Sequence, residues 1–323
     1  MRARRALAWP LLLAMACGGQ KPAGDSGGAS STEPSEVREA RGLLGAGRYD
    51  EVLARLKTST APEAYYLQAE AWAKKSETAP LPTPEALPPG SPRDAVPVSP
   101  EFKPEELQAI ALYEKAAAAM RQDPSPRLGL ARLLTPHAQR RYDAEQAAAA
   151  APKKPVKGKP PAVAPPVAAP GPDFSPARVA GEYRAAAEAA PKNAEAIEAL
   201  YAFAIRVGQI DQADWALQTL MKRENENPDH ALRYGDFLRD VKKDPMSAVS
   251  AYRQVLIWRS DDAAVKARIA DVYINAGIAH HANGEYASAD ARYQEAQKWI
   301  TDRSSQQYKR LQHEIDRLHR LRR

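Results

Sequence analysis

Between Ala270 and Ile300 the small and apolar positions fall every three or four residues along two successive stretches. Tyr273, Ala276, Gly277 and His280 form the first set, and Ala289, Tyr293 and Ala296 form the second, after Gly284-Glu285-Tyr286. This spacing puts each set on one face of a helix and the intervening residues at a turn, so it predicts a helix hairpin. Small residues stand wherever the two backbones have to meet. The pattern recurs over Ala194 to Asn227, with Ile197, Tyr201, Ala204, Gly208, Ile210, Ala213, Leu217 and Leu220 at matching places. A looser copy between the two carries Leu232, Asp236, Ala248, Tyr252 and Val255, with Pro245 at its turn.

Earlier in the chain the same unit is read three more times. Glu36 to Lys57 holds Ala40, Leu43, Gly47, Tyr49, Val52 and Leu56. Ala64 to Lys75, with Ala69 and Trp72, is continued by Glu105 to Met120, with Ala109, Tyr113 and Ala116. Leu128 to Leu134 is continued by Pro176 to Ala190, with Val179, Tyr183 and Ala186. Six units result, two of them split by proline-rich inserts. A single hairpin cannot bury both faces of its helices, so the copies are expected to stack on one another. After the last of them, Tyr308, Leu311, Ile315 and Leu318 give Ser304 to Arg322 a narrow apolar stripe. That suits a terminal helix covering the final repeat, with Lys309, Arg310, Arg317, Arg320, Arg322 and Arg323 on its outer face.

The spacing resembles the tetratricopeptide repeat, a 34-residue helix-turn-helix unit. Its small positions 8, 20 and 27 correspond to Gly277, Ala289 and Ala296, and its turn glycine to Gly284. Its larger apolar positions correspond to Tyr273, His280, Tyr286 and Tyr293, with His280 as the departure. The resemblance implies an all-α, right-handed superhelical solenoid with a C-terminal capping helix and two disordered proline-rich inserts. It also implies a concave groove lined by positions 2, 5, 9 and 12 of each first helix. Here these are Glu195, Glu198, Ala202 and Ile205; His230, Arg233, Phe237 and Asp240; and Asp271, Ile274, Ile278 and His281. Such a groove suits a helix or extended peptide of another protein, with Phe237 and Ile274 as apolar anchors and Arg233 as a carboxylate contact. The lysine and asparagine by which chaperone-binding members hold a peptide are replaced here by Glu198 and Ala202, so that role is not implied.

Composition changes this picture at the ends and in the inserts. Of 28 prolines, 18 lie between Pro80 and Pro104 or between Pro152 and Pro176. Residues 1–17, MRARRALAWPLLLAMAC, join three arginines to a short apolar run and small residues, the layout of an export signal. Its last residue, Cys17, is the only cysteine. Leu-Ala-Met-Ala-Cys resembles a bacterial lipobox, with Leu13 one place early, and Ala14-Met15-Ala16 also satisfies an ordinary cleavage site. The organisation that follows is a leader over 1–17, a flexible Gly/Ser tether over 18–35 and N-terminal repeats over 36–150 with an insert at 78–104. An Ala/Pro/Lys linker then spans 151–176, the C-terminal repeats span 177–300, and an amphipathic helix spans 301–323. Lipidation at Cys17 would tether the folded body to a membrane leaflet by its acyl chains. With Gly18 after the cysteine, the resemblance favours the periplasmic face of the outer membrane.

A search for chemistry leaves little. The sequence holds no glycine-rich phosphate loop, no Gly-x-Ser-x-Gly elbow and no paired Cys or His metal pattern. His280 and His281 point about 100° apart on a helix and cannot chelate one ion between them. His280 is read as a packing residue and His281 as a groove residue. No enzyme, cofactor or metal site is expected. The formal charge of +6 falls to +3 without the leader arginines, and no aromatic residue interleaves the lysines of the second insert, so nucleic acid is not an expected partner. The expected function is that of a non-catalytic scaffold or assembly factor in a bacterial envelope. Lipoproteins of this kind assist type IV pilus and secretin assembly, outer-membrane protein insertion, gliding motility and secretion. The alternative is a lipoprotein that binds the cell wall or regulates a wall hydrolase through the lysine insert and the groove. Oligomeric state is not set by these patterns.

Overall fold

The structure is a computed structural model that describes residues 34–80, 102–150, 172–191 and 193–321. Among these residues the chain forms thirteen helices and no strand. Helices α1 (Ser35–Gly45) and α2 (Tyr49–Leu56) make the first hairpin, and α3 (Pro62–Thr78) and α4 (Pro104–Ala119) the second. The third pairs α5 (Ser125–Ala150) with α6 (Pro176–Ala189), and the fourth α7 (Glu195–Arg206) with α8 (Ile210–Arg223). The fifth pairs α9 (Pro228–Asp240) with α10 (Pro245–Trp258), and the sixth α11 (Ala263–Ala282) with α12 (Tyr286–Trp299). Helix α13 (Gln306–Leu321) follows alone. Each helix packs on its hairpin partner, and the second helix of each hairpin packs on the first of the next. These are the stacked hairpins of a tetratricopeptide-like solenoid, with α13 resting on α11 and α12 through Leu311 and Leu318. The leader, Cys17, the tether and most of both inserts lie outside the described residues.

The local sequence dictates where the helices begin. Five of them start on a proline, whose missing N–H is not needed in the first turn. Ser175, Asn227, Asp244 and Asp262 accept hydrogen bonds from backbone N–H groups that the first turn leaves free. Hairpins close where Gly208 and Gly284 adopt positive φ (69° and 78°).

Neighbouring helices meet at a ring laid on bare backbone, between hairpins at Gly129 and within them at Gly235 and Gly277. The Tyr113, Tyr252 and Tyr293 rings lie over Gly129, Gly235 and Gly277, where any Cβ would come closer than 3.0 Å to the ring. All three tyrosines are buried. Alanine, valine and leucine fill the surrounding core, which runs as one cluster from Ala69 to Leu318, with a smaller cluster under α1 to α3.

Three details depart from the sequence reading. Helix α5 does not stop near Leu134 but continues for 26 residues, through Pro136, to Ala150. The alanine-rich stretch after Arg141 propagates it, and Asp143 is tied to Arg206 of α7 at 2.6 Å. The proline-rich segments are also shorter than their composition suggests. Phe102 is buried, and Phe174, assigned to the linker, packs edge-on against it at 5.2 Å, with His137 stacked on Phe102 at 4.1 Å. Finally, the α9–α10 turn holds four residues, 241–244, where the α7–α8 and α11–α12 turns hold three. Lys243 absorbs the extra residue at φ 58°. Counting a constant 34 residues through this turn therefore displaces α9 by one position: Gly235, and not Asp236, sits under Tyr252.

Gly277→Ala is expected to destabilise the protein by about 1–3 kcal/mol, because the Tyr293 ring is fixed by the core and must shift. Gly181→Ala, in open space on α6, is expected to stabilise it by roughly 0.5–1 kcal/mol. Urea unfolding of the two variants beside wild type measures both signs.

Candidate partner-binding groove

The first helices of the hairpins, α3, α5, α7, α9 and α11, line up side by side, and α13 continues the row. Charged side chains bridge them in series. Arg132 of α5 pairs with Glu195 of α7. Arg233 of α9 donates both guanidinium arms to Glu198 of α7, at 2.8 and 2.9 Å. Arg268 of α11 meets Asp236 of α9 at 3.3 Å, and Arg310 of α13 meets Asp271 of α11 at 4.0 Å. The last three share one polarity, an acid on the earlier helix and an arginine on the later one. Half of these residues were expected on the groove from sequence, whereas Arg132, Asp236, Arg268 and Arg310 were missed. A signal was present: Arg-x-x-Asp occurs at 233–236 and again at 268–271, a spacing that places both charges on one helix face.

The groove residues expected from sequence divide into two groups. Glu195, Glu198, Ala202, Ile205, Asp240, Asp271 and Ile278 are exposed or half-buried, and Ile205 is among the few large apolar side chains that stand open to solvent. Arg233 is half-buried, and it is already engaged by Glu198 and stacked on the Tyr201 ring at 5.0 Å. The hydrogen bonds to Glu198, more than any other influence, push the Arg233 guanidinium pKa further up. It is therefore not the free carboxylate contact anticipated.

Four others turn inward. Phe237, expected as an anchor, is buried between the Tyr201 and Tyr234 rings, and His230 is buried with its Nε2 at 2.8 Å from Glu224. Both follow from the one-residue displacement of α9, which brings Asp229, Leu232, Asp236 and Arg239 to the positions assigned to their neighbours. Ile274 is fully buried in the core that also takes Leu311 and Leu318, so it cannot anchor a ligand. His281 is buried with its ring edge toward Tyr286, while His280 is half-exposed and bonded through Nδ1 to Glu285 at 2.6 Å. The roles read for these two histidines are thus exchanged.

At the N-terminal end of the row the surface deepens into a cavity of about 480 Å³ between α3 and α5. Its wall includes Glu70, Ala73, Lys74, Lys103, Glu106, Tyr113, Arg132 and Leu133. The Tyr113 hydroxyl donates to Glu70 at 2.8 Å, and the Tyr66 ring lies 6.3 Å from that of Tyr113. Burial first, and Glu70 second, push both tyrosine hydroxyls far above their ordinary pKa, so they remain donors at every physiological pH. Among the described residues no group of three or more His, Cys, Asp or Glu side chains is placed to hold a metal ion, and no helix is long and apolar enough to cross a membrane.

No protein-family model matches the chain, and no curated protein does so. Solved structures similar to it are helical-repeat proteins. MamA (residues 41 to its end) of Desulfovibrio magneticus RS-1 is 15% identical over 71% of this chain and 96% of its own, with a TM-score of 0.36. A thermophilic tetratricopeptide protein of Thermus thermophilus is 14% identical over 74% and 97%, with a TM-score of 0.34. PilF of Pseudomonas aeruginosa is 12% identical over 87% and 96%, with a TM-score of 0.33.

A double-mutant cycle on Glu198→Gln and Arg233→Met is expected to give a coupling of about 0.5–1 kcal/mol, the scale of a partly exposed bidentate pair. The coupling should shrink as sodium chloride is raised. A coupling that is absent or unaffected by salt would contradict the bridging geometry.

Proposed function

We propose that this chain is a non-catalytic, lipid-anchored scaffold of a bacterial envelope, which holds a helical or extended segment of a partner protein along the row of first helices. The observation that carries this reading is the surface itself. Ala202, Ile205 and Ile278 offer apolar footholds between charged rungs that are already paired. A partner segment can therefore bury apolar side chains there without stranding a charge, and the rungs at the margin give register more than affinity. Phe237 and Ile274 support this face from inside the core.

The anchor is Cys17, and the reading of it rests on the arginine-led apolar leader, the small residues before the cysteine and the Gly/Ser stretch after it. A lipid-held body at the periplasmic face of the outer membrane is suited to assembling an envelope machine, such as one for pilus or secretin assembly, gliding motility or secretion. Cys17→Ser is expected to move the protein from the salt-washed membrane fraction to the soluble fraction. Continued sedimentation with membranes would contradict the anchor.

The groove is tested separately. In-cell crosslinking of a C-terminally tagged chain, followed by mass spectrometry, is expected to capture a defined set of envelope proteins. Ala202→Arg with Ile205→Glu, both at exposed positions, is expected to abolish that capture while leaving the urea midpoint nearly unchanged. An unchanged set in the double variant would remove the groove from consideration.

A further inference from the structure

The row of bridged helices has one gap, and the gap coincides with the cavity. From α7 onward each junction carries an acid on the earlier helix met by an arginine on the later one. Between α3 and α5 the same two groups are present, Glu70 and Arg132, both in the cavity wall. Yet Arg132 turns the other way and pairs with Glu195 of α7. The remaining cations of the wall are also committed. Lys74 donates to Glu77 at 2.8 Å, and the Lys103 ammonium donates to the Ser76 and Ala79 carbonyls at 2.6 and 2.8 Å. Glu106 accepts from the Lys103 N–H at 2.7 Å and lies 3.4 Å from the His137 ring.

Glu70 accepts from the Tyr113 hydroxyl, while Lys74, four residues on, acts on it only at a distance because its ammonium is bonded to Glu77. Among the described residues no lysine or arginine is paired with it. The Tyr113 hydroxyl aims this carboxylate without neutralising it, in a recess of about 480 Å³. A carboxylate so placed gains most from a cation that brings its own charge. The recess has the dimensions and lining for one long basic side chain. Its aliphatic stem would lie along Ala73 and Leu133, with the charged head at Glu70. Pro136, also in the wall, has no N–H to give the Arg132 carbonyl, so that oxygen is free of its usual helical donor.

We infer that the cavity between α3 and α5 receives a lysine or arginine side chain of the partner segment, which completes the missing rung at Glu70. This rests on the reading of the first-helix row as the binding face, and it specifies what the partner carries: a basic side chain at the point that lies over the second and third hairpins. The pairing of Arg132 with Glu195 then has a purpose, because it keeps the chain's own arginine out of the recess.

The probe is Nα-acetyl-lysine methylamide, titrated into the isotopically labelled full chain and followed by amide chemical shifts. Saturable shifts are expected at Ala73, Gly129 and Leu133, and none with the norleucine analogue, which has the stem without the charge. Glu70→Gln is expected to weaken binding about tenfold, the scale of one charge-assisted contact. Glu195→Gln touches neither tyrosine and is expected to weaken binding as well, by releasing Arg132 to Glu70. Glu188→Gln, on the outer face of α6, serves as the unaffected control. No saturable shift in wild type, equal binding of the norleucine analogue, or unchanged affinity in Glu70→Gln or Glu195→Gln would overturn the inference. Because the titration contains no partner protein, its failure leaves the crosslinking result standing, and loss of the crosslinked set leaves the titration to be judged alone.

Discussion

The helix packing that shapes the groove depends on tyrosine rings set against backbone that has no side chain. Tyr252 over Gly235 and Tyr293 over Gly277 bring two helices closer than any residue with a Cβ allows. That closeness fixes the rotation of the first helix against the second, and with it the set of residues that face outward along the row. The same ring aims a polar group at its far end. Tyr252 donates to Asp236 at 2.7 Å, and Tyr113 donates to Glu70 at 2.8 Å. Packing and site are thus parts of one arrangement. The glycine sets the register and the ring fills the space, and at Tyr113 and Tyr252 the hydroxyl also holds an acid at the edge of the groove.

The reliance on register explains how much of the molecule was legible in the sequence. The hairpins, their order and the capping helix follow from the spacing of small and apolar residues, because a 3.6-residue period is local. The rotation of α9 is not local in that sense. It depends on whether Asp236 or Gly235 meets Tyr252, and a turn longer by one residue decided it. A charged residue at a position reserved for a small one was the warning, with Gly235 directly beside it. Ile274 and His281 show a different limit. Their spacing places them on the groove face, but tertiary packing at the end of the solenoid buries them. The bridges were only half legible for a third reason: the repeated Arg-x-x-Asp marks the face, but the pairs join residues 32 to 63 apart and depend on side-chain direction. Phe102 and Phe174, each embedded in proline-rich sequence, show that a compositional boundary can overrun a structural one by several residues.

Paired charges at half-exposed sites contribute little stability each, typically below about 1 kcal/mol. Their consequence here is selective. A row in which arginine and carboxylate already satisfy one another repels neither sign strongly, so on the proposed reading a partner would be recognised at the places left incomplete. Those are the apolar footholds on α7 and α11 and the carboxylate at Glu70. In such a complex affinity would reside in a few side chains while the bridged surface excludes wrong registers, a division common at protein interfaces.

The most direct measurement is site-specific photocrosslinking in cells, with the photoreactive residue placed in turn at Ala202 on the groove face and at Ile257 on α10, which is 75% exposed. The account predicts that the Ala202 probe captures a defined envelope protein and the Ile257 probe does not. Capture from Ile257 with none from Ala202 would contradict it and move the working surface to the outer helices.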